Sequence, residues 1–267
     1  MKLLFIGDIV GTPGVQVIRR AVPPLRLSLG FDFVVANAEN ASGGSGLYPS
    51  AYKLLRASGV DALTMGDHLY KKSDIIGLLN DGEPICKPAN YPEAAPGREF
   101  VILESAAGQK LAIISLLGRT FMKPVDCPFM AADRVLAKLP ADVRCILVDV
   151  HAEATGDKYQ LLHHLKGRVS AILGTHTHVP TADEHIMPEG TAFICDVGMT
   201  GPYSGILGRK AERVLPAVIT FVPISFDIAV DDLRLGGAVV EIDDATGKAT
   251  AIRRVMLTEK DVAALES

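Results

Sequence analysis

Short apolar runs rich in β-formers recur along most of the chain: Leu3 to Ile6, Phe33 to Ala36, Ala62 to Met65, Leu111 to Leu116, Cys145 to Val150, Ser170 to Leu173 and Thr191 to Cys195. Runs this short and this uniformly apolar read as strands covered on both faces. Stretches of helical period lie between several of them, at Val15 to Leu29, Ser50 to Ala57, Ala131 to Leu139 and Lys158 to Leu165. This β-α-β-α order predicts an α/β fold. Towards the C-terminus, Ala238 to Ile242 and Ala249 to Met256 alternate around Asp243-Asp244-Ala245-Thr246-Gly247-Lys248, which reads as an antiparallel hairpin. The sheet system is therefore expected to be mixed. With no repeat, low-complexity tract or linker, one domain over 1–267 is the simplest organisation.

Size and charge narrow the function classes. For a 267-residue chain, size scaling gives roughly 11,000 Å² exposed when folded against about 41,000 Å² unfolded, so a full core forms without disulfides or structural zinc. Cys86, Cys127, Cys145 and Cys195 show no C-x₂-C spacing and read as reduced, mostly buried thiols. A net charge of −4 with no long basic run gives no footprint for duplex nucleic acid. The apolar stretch before Gly7-Asp8 is too short for a signal peptide and no run reaches a membrane span, so a cytoplasmic location is expected. A small molecule or a locally gripped nucleotide fits such a chain, and a homo-oligomer is left open.

The polar residues carry the chemistry. Successive strand ends read Gly7-Asp8, Ala38-Glu39-Asn40, Gly66-Asp67-His68, Asp149-Val150-His151 and Gly174-Thr175-His176-Thr177-His178. Sites in open α/β folds lie just beyond the carboxyl ends of strands, where such loops converge. Carboxylate and amide oxygens mixed with imidazoles, without thiolate, suit manganese, iron or zinc. The ligands are too many for one tetrahedral ion, and a carboxylate such as Glu39 can bridge two ions about 3.5–4 Å apart, so a dinuclear centre is the economical reading. Other polar residues have plainer readings. Of His163-His164, one packs and one faces solvent. His185, Lys71-Lys72 and Arg209-Lys210 read as surface, and the Gly43 to Gly46 loop either as backbone N–H groups offered to a phosphate or as flexible backbone. Glu153 is either a helix-start carboxylate or a group that orients a ligand imidazole. Gly7, Gly11 and Gly14 do not have the dinucleotide-binding spacing, and Asp8 among them would repel a pyrophosphate.

The order of these motifs resembles the calcineurin-like metallophosphoesterases. More narrowly, Gly7-Asp8-Ile9-Val10-Gly11, Ala38-Glu39-Asn40-Ala41, His151-Ala152-Glu153-Ala154-Thr155, Gly174-Thr175-His176-Thr177-His178-Val179-Pro180 and Asp196-Val197-Gly198-Met199-Thr200-Gly201 resemble the bacterial YmdB-type branch. The resemblance implies a four-layer fold, two packed mixed sheets flanked by helices, with two metal ions, iron or manganese. It implies a phosphodiesterase acting on small phosphodiesters such as 2′,3′-cyclic nucleotides through a metal-bridging hydroxide. Carried over by motif, Asp8, Glu39, Asn40 and His178 hold one metal, Glu39, Asp67, His151 and His176 the other, and His68 is the proton donor. Two departures stand out. Val10 replaces the histidine of the wider superfamily's Asp-x-His, as it does in the narrower branch. Asp67 stands where the family pattern has Asn, adding a negative charge. That charge leaves a second reading, a catalytically weakened metal-binding regulator of the same fold; a phosphomonoesterase or nuclease is a third.

Overall fold

The computed structural model describes residues 1–265. The chain runs β1 (Lys2–Ile6), β2 (Asp8–Ile9), α1 (Gly11–Leu29), β3 (Phe33–Asn37), α2 (Pro49–Ala57), β4 (Ala62–Thr64), α3 (Ile75–Asn80), β5 (Ile85–Cys86), β6 (Phe100–Glu104) and β7 (Lys110–Leu117). It continues through α4 (Pro128–Lys138), β8 (Cys145–His151), α5 (Thr155–Leu165), β9 (Ala171–Thr175), β10 (His185–Ile186), β11 (Ala192–Ile194) and β12 (Met199–Pro202). It closes with α6 (Ala211–Thr220), β13 (Leu233–Asp243), β14 (Lys248–Thr258) and α7 (Glu259–Leu265).

Two mixed sheets form. The first has the order β2-β12-β13-β1-β3-β4-β5, with β14 on the other edge of β13; the second is β10-β11-β9-β8-β7-β6. β1, β3, β4 and β5 are mutually parallel, as are β7, β8, β9 and β11. The hairpin expected near the C-terminus is β13 and β14, and β13 closes antiparallel onto β1.

Three apolar layers explain the unbroken apolar runs. Leu3 and Phe5 of β1 point between the sheets with Leu111, Ile113, Leu147 and Leu173. Leu4 and Ile6 point outward onto Val15, Ile18 and Val22 of α1 and Leu55 of α2. On the far side, Ile114, Val148 and Ile172 meet Ala131 and Val135 of α4 and Leu161 and Leu165 of α5. Central strands are thus covered on both faces, and helix-sheet-sheet-helix is the expected four-layer metallophosphoesterase architecture. The folded chain exposes 11064 Å², close to the roughly 11,000 Å² of size scaling.

Helices start earlier than their apolar period suggests. α1 begins at Gly11 rather than Val15, its buried Gly11 and Gly14 having no side chain to mark an apolar period, and α5 at Thr155 rather than Lys158, its first buried residue. α1 ends at Gly30, whose left-handed φ of 64° lets its N–H reach the Arg26 carbonyl. α6 has no buried residue. No helix among the described residues is long and apolar enough to cross a membrane.

Candidate metal centre

The first sheet delivers its acids at one end. β1 ends at Ile6 ahead of Asp8, β3 at Asn37 ahead of Glu39 and Asn40, and β4 at Thr64 ahead of Asp67 and His68. The second sheet ends at the same place: His151 closes β8, and His176 and His178 follow β9. Asp8, Glu39 and Asn40 are buried, as is His151.

Glu39 is the focus. Its Oε1 lies 3.3 Å from His151 Nε2 and 3.3 Å from His68 Nδ1, and accepts from Asn40 Nδ2 at 3.2 Å. Its Oε2 accepts the His68 backbone N–H at 3.0 Å. Asp67 Oδ1 is 3.4 Å from His151 Nε2 and 3.9 Å from His176 Nδ1, while His176 Nδ1 is 3.0 Å from His151 Nε2. On the other flank Asp8 Oδ1 stands 3.9 Å from His151 Nδ1 and 4.0 Å from His178 Nε2, and Asn40 Nδ2 meets His178 Nε2 at 3.2 Å. All eight residues singled out from the sequence therefore converge on one crevice. Gly66 is required there, since a Cβ would collide with the Glu39 carboxylate and the His151 ring.

His151 is oriented from behind. Thr175 Oγ1 donates to the buried Asp149 at 2.6 Å and therefore accepts from His151 Nδ1 at 2.9 Å, which turns Nε2 towards Glu39 and Asp67. Thr64 Oγ1 and Asn37 Nδ2 complete the Asp149 shell at 2.5 and 3.0 Å. Burial raises the Asp149 pKa to about 6, against the pull of His151 and these donors.

The charges are coupled through the same contacts. Burial opposes ionisation of Glu39, but the adjacent His151 outweighs it and holds the carboxyl well below its usual range. Asp67 is lowered too, burial being overcome chiefly by the adjacent His151 imidazole. His151 moves the other way: burial disfavours its charge, yet Glu39 and Asp67 lift it well above the ordinary histidine value. His68 is raised mainly by its hydrogen bond to Glu39. His176 is lowered by burial and by neighbouring His151.

The donor set fits divalent cations. Asp8 Oδ1 and Asp67 Oδ1 are buried with no hydrogen-bond partner among the described residues, an expensive state for carboxylate oxygens unless a cation takes the lone pairs. Ligand atoms of Glu39, Asp67, His151 and His176 lie within 4.8 Å of one another. Oxygen and imidazole donors without sulfur match the chemistry expected from the sequence.

Residues with plainer readings are placed as well. Glu153 reaches His176 Nε2 at 3.2 Å, the orienting alternative. His163 is exposed and His164 packs edge-on against Phe129. His185 packs against Phe193, away from the ligands. Arg209 departs from the solvated reading: half-buried, it donates to the carbonyls of Gly43, Gly44 and Phe226 and pins the glycine loop. The four cysteines are free, three of them buried. Sequence reasoning missed Asn37, Thr64, Lys158 and the supporting role of Asp149, whose partners lie on other strands.

A family model described as YmdB-like protein matches residues 4–255. The chain is 44% identical over 259 residues to the 2′,3′-cyclic-nucleotide 2′-phosphodiesterase of Bacillus subtilis (strain 168), covering 97% of this chain and 98% of that protein. Among solved structures, a hypothetical protein from Thermus thermophilus superposes with a TM-score of 0.91 at 41% identity, covering 97% of this chain and 100% of that one. A novel phosphatase from Mycoplasma pneumoniae superposes with a TM-score of 0.90 at 30% identity, covering 100% and 96%. Motif order, fold and a match across nearly the whole length agree: the chain belongs to the YmdB-like protein family.

Proposed function

We propose that this chain is a metal-dependent phosphodiesterase acting on small phosphodiesters, 2′,3′-cyclic nucleotides foremost. The observation that carries the reading is the pair of buried, unpartnered carboxylate oxygens on Asp8 and Asp67 flanking the Glu39-centred cluster. Asp8, Glu39, Asn40 and His178 are the proposed holders of one ion, Glu39, Asp67, His151 and His176 of a second, with iron or manganese as the metals. When bound, such a cation pair supplies Lewis acidity that lowers the pKa of water and offsets the charge of a phosphodiester.

The side chains of this chain supply the rest. His68 Nδ1 is engaged by Asn40 Oδ1 at 2.8 Å and therefore carries a proton, while Nε2 of the partly exposed ring lies 4.0 Å from Asp67 Oδ2. The hydrogen bond to Glu39 raises the His68 pKa above the ordinary histidine value, which favours the protonated form that an acid needs. As water adds to phosphorus, releasing a proton to solvent, and the P–O bond to the ribose oxygen breaks, the His68 proton passes to the departing oxygen, giving a phosphomonoester with a free hydroxyl. His68 then regains a proton from solvent. Asp67, 3.4 Å from His151 and 4.0 Å from His68, raises the negative charge facing an anionic substrate, which favours the second reading of a weakened enzyme acting as a regulator.

One experiment separates the two: hydrolysis of 2′,3′-cyclic AMP by protein of known metal content, comparing wild type with Asp67→Asn. About two metals per chain and turnover in the wild type support the phosphodiesterase. Turnover in Asp67→Asn alone supports the regulator, and metal binding without turnover in either rejects the enzyme reading.

A further inference from the structure

We infer that the buried ion pair between Lys158 and Asp196 is the positioning device of the His176-Thr177-His178 segment. The inference rests on the metal-centre reading above and extends it to residues outside the ligand set. Lys158, on α5, is 1% exposed, and its Nζ donates to the Thr175 carbonyl at 2.8 Å and to Asp196 Oδ2 at 2.8 Å. The same Asp196 Oδ2 accepts the Thr177 backbone N–H at 3.1 Å and the Thr177 hydroxyl at 2.8 Å. Its Oδ1 accepts the Gly198 N–H at 2.8 Å. The pair therefore grips the chain on both sides of His176, at Thr175 and at Thr177.

The gripped backbone is one that residues with a Cβ adopt only uncommonly. His176 has φ 98° and His178 φ 66°, both left-handed at residues with a Cβ. A third tether, the His176 N–H to Asp8 Oδ2 at 3.1 Å, ties the same peptide to the opposite sheet. The outcome is divergence: His176 Nδ1 faces His151 and Asp67, while His178 Nε2 faces Asn40 and Asp8. Two imidazoles two residues apart thus serve the two flanks of the crevice. A fully buried ion pair is a poor source of net stability because desolvation of both charges opposes it. Holding a strained ligand loop gives it a purpose that stability does not.

The test is Mn(II) binding by calorimetry and Mn(II) electron paramagnetic resonance, on the full-length chain stripped and reloaded. The Lys158→Gln/Asp196→Asn double variant keeps a neutral hydrogen-bonded pair. A Leu161→Ala variant, from the packed face of the same helix, controls for simple destabilisation. Positioning predicts that the double variant weakens Mn(II) at least tenfold and loses the coupled two-ion spectrum, while Leu161→Ala lowers the melting temperature with Mn(II) affinity unchanged. Equal Mn(II) affinity and an unchanged spectrum in the double variant overturn the inference. So does parallel loss of affinity in Leu161→Ala, which marks the effect as general loosening. A wild type that binds no Mn(II) overturns it too, whereas one that binds Mn(II) without hydrolysing phosphodiesters sinks only the proposed activity.

Discussion

Replacing His68 with alanine tests the proposed proton donor apart from the proposed metal ligands, because the residue's backbone contact to Glu39 outlasts the loss of its imidazole. The backbone N–H, which alanine keeps, holds Glu39 Oε2 at 3.0 Å. The imidazole Nδ1 reaches Asn40 Oδ1 at 2.8 Å and stands 3.3 Å from Glu39 Oε1, and Nε2 lies 4.0 Å from Asp67 Oδ2. Metal content is therefore expected to survive while the acid is lost. General acid catalysis contributes typically 10²–10⁴-fold, which corresponds to about 3–5 kcal/mol of barrier. That loss should fall on substrates whose leaving group needs a proton. The assay is steady-state turnover of 2′,3′-cyclic AMP, with a ribose alkoxide as leaving group, beside a p-nitrophenyl phosphodiester whose leaving group departs unprotonated. The expected result is a loss of about 10²-fold or more on the cyclic nucleotide, little change on the activated ester, and unchanged metal by elemental analysis. Equal losses on both substrates, or a variant that has shed its metal, refute the division of roles; unchanged turnover on the cyclic nucleotide removes His68 from the chemistry.

Further outcomes follow from the same contacts. Asp67→Asn removes one of the charges that lift His68; an acid works while protonated, so activity falls as pH rises through its pKa, and the alkaline limb of the kcat profile should move to lower pH. Thr175→Val removes the hydroxyl linking Asp149 to His151, and metal affinity read by competition with a chromogenic chelator should fall about 10–100-fold. Gly66→Ala thrusts a Cβ onto Glu39 and His151 and should abolish metal loading while leaving a folded chain by circular dichroism. Stripping an ion held at a hundredfold excess over its Kd costs about 2.7 kcal/mol, and a chain of this size should lose about 5–10 °C in melting temperature for each ion removed by chelator.

The strands were legible because they are covered on both faces, so that Leu3 to Ile6 or Cys145 to Val150 needed no polar alternation to be recognised. Short elements were not: β2 and β12 pair over only Asp8–Ile9 and Met199–Thr200, too few residues to carry a period. The candidate ligands were legible for a different reason, since a strand that has run out of apolar residues must present its polar end where the loops gather. What supports them was hidden. Asp149 looks like one more acid at a strand end, and only β8 pairing beside β9 puts Thr175 against it. Lys158 reads as the first residue of an amphipathic stretch, and its true partner, Asp196, arrives from another strand's end through folding alone. The centre also has a division that no single motif displays. Asp8, Glu39 and Asp67 follow strands of the first sheet, while His151 closes one strand of the second and His176 and His178 follow another. Acids and imidazoles come into register only when the two sheets pack over the shared layer of Leu3, Phe5, Leu111 and Leu147. A cation held by both sets would link the sheets at their carboxyl ends, so loss of metal should loosen the packing of one sheet on the other as well as silence the chemistry. Hydrogen exchange would show that as faster opening at the carboxyl ends of β3 and β8 in stripped protein, with the far ends of the same strands unaffected.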